Sequence, residues 1–255
     1  MKNVIILCKD KCIYLVAVLS GIVLMLPFAG SNEPVKTEYY LCAFSFALLG
    51  QNISYIIQFI PHFIPLFIIQ FYWGISVYKS FCVASIYVFS RRNHRVKWAL
   101  RELLKVLLKT VLFIAAVIVP AFIMIMLSTQ AVTDINSVIH AVCMLIILSL
   151  YSFEMIALIN LLSFFLESGV AFAIVQIINL LSLAMYLLSV NLKIDESIIM
   201  DFNLISRLMV EPDLDIWKVS FSLLYFLIPA VIISLLIVGA VKKTQFTKSI
   251  YEGDV

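Results

Sequence analysis

Charge is what this chain has least of. Asp, Glu, Lys and Arg make up 13% of its 255 residues, where a soluble domain carries about 25%. So few charges cannot clothe a water-soluble globule of this size. Cysteine chemistry is thin as well. Cys8, Cys12, Cys42, Cys82 and Cys143 are odd in number and form no CxxC pair, which speaks against a disulfide framework and a zinc site. No GxxxxGK[ST] loop is present to cradle a nucleotide, and no GxGxxG follows a strand. HExxH is missing, and His62, His94 and His140 fall in different segments, so the clustered ligands with which a metalloprotease activates water are not there. Ser and His occur, but nothing pairs them as a serine-type intramembrane protease requires. The expectation is a chain without catalytic residues, metal or cofactor of its own, and not an enzyme.

What fills the sequence instead is apolar: 64% hydrophobic residues and a mean hydropathy of +1.10. A spanning helix needs about 20 apolar residues. Six stretches meet that length, at residues 12–29, 53–73, 106–127, 138–164, 170–190 and 221–241. Each is expected to be helical, because lipid offers no partner to an open backbone donor or acceptor, and the alternating short segments of an outer-membrane barrel are absent. The first stretch lacks a convincing small-x-small cleavage site and reads as a retained helix rather than a signal peptide. The expected fold is an all-α integral membrane protein, a single six-helix domain over residues 1–255.

Orientation follows from the basic residues. Fourteen lie in the segments assigned inside (Lys2, Lys9, Lys11, Lys79, Arg91, Arg92, Arg95, Lys97, Arg101, Lys105, Lys109, Lys242, Lys243 and Lys248), against Lys36, Lys193, Arg207 and Lys218 outside. Acidic residues lean outward, from Glu33 and Glu38 through Asp134 to Asp195, Glu196, Asp201, Glu211, Asp213 and Asp215. Both termini are thereby placed in the cytoplasm. Leu41–Asn52 is assigned to the outer interface, as a re-entrant or tilted extension of helix two. Pro61 and Pro65 each remove a backbone donor and predict a bend in helix two: a packing kink on the plainer view, a hinge on the sharper one. In the outer segment, residues 191–218, Ile198–Met209 reads as an interfacial amphipathic helix stopped near Pro212.

The inner region between helices two and three is the most informative. Lys97, Arg101, Lys105 and Lys109 recur every four residues and form one stripe on a helix. Their stems can lie along lipid while the heads reach phosphate, each basic residue near an anionic leaflet contributing about 1 kcal/mol. An interfacial entry to helix three accounts for that stripe. It does not account for Ser76–Phe89 before it, which is short, amphipathic and aromatic. Glu154 is the one acidic residue deep in an apolar stretch. A charge there costs about 2.5–3.5 kcal/mol on insertion scales, so Glu154 is expected to face the bundle, paired or protonated. Tyr151 and Asn160 are its candidate partners, and both a structural hydrogen-bond role and contact with a substrate or proton stay open.

The layout resembles the transmembrane subunit of type 2 ATP-binding-cassette exporters, especially the small permeases of bacteriocin or peptide self-protection in Gram-positive bacteria. An amphipathic N-terminus, MKNVIILCKDK, precedes helix one. A coupling-type helix, YKSFCVASIYVFSRRN, lies between helices two and three in a cytosolic region spanning 75–97. The short turn FLESG joins helices four and five, and IYVFSRRNHRVKW is similar to the family's aromatic–basic stretch. The resemblance implies a separate ATPase subunit that binds ATP and Mg, and a second permease copy or homologue. It also implies an amphipathic peptide or lipid-like cargo, membrane lipids as neighbours and no nucleic acid. Tyr78, Lys79, Phe81, Ile86, Tyr87 and Phe89 would then face the ATPase, flanked by Arg91 and Arg92; a plain connecting loop is the alternative. Glu154 and Asn160 are candidates for the translocation pathway. An ion-coupled secondary transporter centred on Glu154, and a non-transporting immunity or sensor protein, are the rival functions.

Overall fold

The computed structural model describes residues 2–26, 37, 56–87, 95–128, 133–191, 202–210 and 215–243. Among them every regular element is a helix: α1 (Lys2–Met25), α2 (Ile56–Trp73), α3 (Ser76–Tyr87), α4 (Arg95–Ser128), α5 (Ile135–Leu162), α6 (Ser168–Asn191), α7 (Leu204–Leu208) and α8 (Ile216–Lys243). Five apolar stretches are long enough to cross a membrane: Phe63–Val83, Arg95–Leu127, Ile135–Leu162, Ser168–Ser189 and Ile216–Lys243. The described apolar part of α1, Lys11–Met25, is shorter. The protein is a membrane-embedded helical bundle.

Helix α5 is the axis of that bundle. It is buried on all sides from Ile147 to Asn160 save for partly covered Leu150 and Leu158, while its neighbours keep one face of leucine, isoleucine and valine exposed, as lipid-facing helices do. The N-terminal end of α5 is capped by Asp134, whose Oδ1 accepts from Ser137 N at 3.0 Å while Asp134 N donates to Ser137 Oγ at 3.3 Å. This reciprocal pair occupies two donors that a helix start leaves open. Helices α1 and α4 lie against each other with Gly21 at the contact. A Cβ there would stand 2.1 Å from the carbonyl oxygen of Val117, so only glycine lets the two backbones come this close.

Three features call for comment against those expected. Helix α4 begins at Arg95 rather than 106, since Lys and Arg are good helix formers and the basic stripe simply continues the apolar helix. Helix α2 runs through Pro61 and Pro65, and its interruption falls at Gly74–Ile75. A Cβ on Gly74 would meet the Gln70 carbonyl oxygen at 2.3 Å and two Ile159 methyl carbons at 3.1 Å. The third is the outer segment, expected to hold an interfacial helix over 198–209; of that range, 198–201 lie outside the described residues. The apolar stripe of helix α7 is turned into the bundle. Ile205 and Leu208 are fully buried, with Leu204 and Val210 nearly so. Asn203 Nδ2 donates to Ser182 O at 2.8 Å, nine positions before the end of α6, and Tyr225, nine positions into α8, donates its hydroxyl to Phe202 O at 2.8 Å. Nine residues of helix rise about 14 Å. The chain folds back by that depth between α6 and α8. Leu41–Asn52 lies outside the described residues.

Candidate functional site

Three groups of polar side chains in the bundle are built around α5. The first is a clamp near its C-terminal end. Asn160 is fully buried. Its Oδ1 accepts from Val77 N at 2.9 Å and Tyr78 N at 3.1 Å, and its Nδ2 donates to Trp73 O at 3.3 Å and Ile156 O at 2.9 Å. Ser76 Oγ adds a bond to Trp73 O at 2.8 Å. A helix break exposes the last carbonyls of one helix and the first amides of the next, and one asparagine serves both sides of this break. Movement of α3 is therefore felt directly by α5.

The second group is a chain of amides across three helices. Gln176 (α6) donates to Gln70 Oε1 (α2) at 2.8 Å; Asn179 (α6) donates to Gln176 Oε1 at 3.3 Å and accepts from the Tyr151 hydroxyl (α5) at 3.1 Å. Gln70, Tyr151 and Asn179 are at most 1% exposed. Linked amides of this kind tie helices together where lipid supplies no hydrophobic force between them. Outside the chain lies a groove of about 600 Å³ between α1, α2 and α6, lined by Cys12, Val16, Phe67, Phe71 and Phe172 among others. Gln176 reaches its wall as well, so the groove touches the amide chain.

The third is Glu154, one turn beyond Tyr151 and eight residues, or about 12 Å, before the end of α5. It is 9% exposed and its Oε2 has no hydrogen-bond partner. Neither expected partner meets it: Tyr151 bonds Asn179, and Asn160 is spent on the helix break. Among the described residues the one ion pair is Lys105–Glu102 at 2.6 Å on the surface of α4.

The expected coupling residues divide. Lys79 is exposed and Tyr78 half-buried, but Phe81 is turned inward: 3% exposed, its ring 5.3 Å from that of Phe164 and 6.2 Å from that of Trp98. The Tyr78 ring likewise packs edge-on against Phe164 at 5.3 Å. The hydrophobic pull of the α5–α6 turn outweighs exposure here, so Phe81 is not offered to a partner in this conformation. The side chains of Ile86 and Tyr87, and Phe89, Arg91 and Arg92 altogether, lie outside the described residues. Of the basic stripe, Lys97, Arg101 and Lys105 are exposed as expected, whereas Lys109 is half-buried with Nζ 5.7 Å from the centroid of the Trp73 ring. Gln70, Gln176 and Asn179 were not singled out from sequence, although a carboxamide within an apolar stretch is the same kind of signal as Glu154. No group of three His, Cys, Asp or Glu side chains fit to hold a metal occurs among the described residues.

No protein-family model matches the chain, and neither does any curated protein or solved structure.

Proposed function

We propose that this chain is the membrane-spanning permease subunit of an ATP-driven exporter of the type 2 ATP-binding-cassette kind. It would move an amphipathic peptide or lipid-like compound out of the cell or its membrane. In this reading α1 supplies a sixth crossing, both termini are cytoplasmic, and two permease copies work with ATPase subunits that hydrolyse ATP outside this chain. The observation that carries the reading is the Asn160 clamp. It joins α3, the element in the position of a coupling helix, to α5, which bears the interior polar groups. A push on α3 from below would thereby reach Tyr151 and Glu154 without passing through a flexible loop. The layout and charge sorting of the sequence support the same reading.

Purification in mild detergent, followed by identification of co-purifying proteins, tests it. A stoichiometric ATPase subunit is the expected result; activity of the isolated chain in liposomes without one overturns the proposal. A second reading, an ion-coupled transporter, is favoured by the uncompensated carboxyl of Glu154. It requires transport with no ATPase, abolished by Glu154→Gln.

A further inference from the structure

Glu154 stands alone inside the bundle. Its Oε2 is buried without a hydrogen-bond partner, and among the described residues no ion pair reaches it. Helix α5 is unbroken around it, so the backbone has no spare amide to offer. The charged groups on the elements packed against α5 are engaged elsewhere. Arg207 on α7 lies over the Phe221 ring at 4.3 Å, Lys109 on α4 lies over Trp73, and Lys79 on α3 is exposed. The titratable groups within electrostatic reach of the carboxyl are Tyr151 on its own helix and Tyr225 on α8; α6 brings Tyr186, and α2 brings the amide of Gln70. An ion stranded in an apolar interior costs far more than a neutral acid. A metal cation would need several more oxygens, and no second carboxylate stands beside Glu154 among the described residues. A proton needs one oxygen only.

The surroundings also give the proton a direction. Between Glu154 and Asn160 helix α5 carries only apolar side chains, of which Ile156, Ala157 and Ile159 are at most 1% exposed. Tyr225 offers a polar route. It stands within reach of Glu154 and also of Arg207, and its solvent-accessible hydroxyl donates to Phe202 O just before α7.

We infer that Glu154 is a proton-binding site, filled in this conformation, which exchanges its proton with water past Tyr225 when α7 moves aside. Helix α7 is the piece suited to moving. It is five residues long, a length with little stability of its own, and the Asn203–Ser182 and Tyr225–Phe202 bonds hold it in place. Binding a proton requires neither a motor nor a cargo, so the inference stands apart from the permease reading. To the ion-coupled reading it gives the identity of the ion.

The test is labelling of the full chain in nanodiscs with two carbodiimides, read by mass spectrometry at Glu154. One is the apolar dicyclohexylcarbodiimide, the other a water-soluble carbodiimide with a fixed positive charge. Such a reagent adds to a carboxyl that holds its proton. The proton passes to one nitrogen, the carboxyl oxygen bonds the central carbon, and the acyl group then shifts to nitrogen with nothing lost. Glu154 should take up the apolar reagent in preference to Glu167, which is exposed at the α5–α6 turn, and labelling should slow as rising pH withdraws the proton. The water-soluble reagent should reach Glu154 slowly in wild type and about fivefold faster in Asn203→Ala, which loosens α7. Asn160→Ala, which loosens the other end of the bundle, should not accelerate it. In infrared spectra a neutral carboxyl band, lost in Glu154→Gln, should shift promptly in heavy water. An unlabelled Glu154, labelling indifferent to pH, or a band that heavy water leaves unshifted overturns the inference, since a sealed structural carboxyl behaves in that way. Equal acceleration by Asn160→Ala overturns it too, because the route would not pass α7. The labelling of wild type stands even if Glu154→Gln fails to fold. A co-purifying ATPase, found or missing, decides the permease reading and leaves these measurements untouched.

Discussion

The two ends of the bundle are closed by different means. At the C-terminal end of α5, one fully buried asparagine on the central helix satisfies both sides of the α2–α3 break, and Gly74 lets Ile159 pack into the corner. At the other end, α7 folds in between α6 and α8, held by the Asn203–Ser182 and Tyr225–Phe202 bonds at its N-terminal side and by the packing of Leu204, Ile205 and Leu208. The Asn160 closure is an integral joint of the central helix. The α7 closure is a separate piece of chain. Buried hydrogen bonds whose loss strands several backbone groups are costly to break, whereas a five-residue helix has little stability of its own. The α7 end should open first.

The sharpest way to break this contrast is Gly74→Val. With a Cβ driven into the Gln70 carbonyl oxygen, it should destabilise the Asn160 joint by about 3 kcal/mol or more, read as loss of monodisperse protein or a large fall in melting temperature in detergent. Next, Asn160→Ala should cost about 2–3 kcal/mol by stranding the Val77 and Tyr78 amides, and hydrogen exchange at the start of α3 should accelerate while that of α7 stays unchanged. Asn203→Ala removes an N-cap that accepts from Ile205 N at 2.9 Å and Ser206 N at 3.3 Å. About 1 kcal/mol is expected, with faster exchange confined to α7. Tyr225→Phe deletes a single, solvent-accessible bond and should shift stability by about 0.5 kcal/mol. An Asn203→Ala effect as large as that of Asn160→Ala, or one that spreads to α3, would erase the distinction between the two ends.

The sequence and the structure agree most closely where the hydrophobic signal is long. Helices α5, α6 and α8 begin and end within a few residues of the apolar runs at 138–164, 170–190 and 221–241, and α2 ends at Trp73 as expected. The start of α4 was legible in the four-residue spacing of Lys97, Arg101, Lys105 and Lys109, which announces a helix before the apolar run at 106, though hydropathy alone does not mark it. Helix α7 was misplaced for a physical reason. Leu204, Ile205 and Leu208 form the same stripe whether it meets lipid or other helices, and nothing local chooses between them. Among the site residues, Glu154 and Asn160 were visible as polar groups in apolar surroundings. What Asn160 does was not, since three of its four partners come from a break in another helix. Phe81 looked like a surface anchor because its inward partner, Phe164, is distant in sequence.

The contact at Gly21 has a bearing on motion. Two backbones locked at that distance cannot slip or roll past one another, because any sideways step drives main chain into main chain. Helices α1 and α4 are thus obliged to travel together as one beam. A spectroscopic label on either should report the same displacement, and a divergence between the two would mean that the beam had come apart.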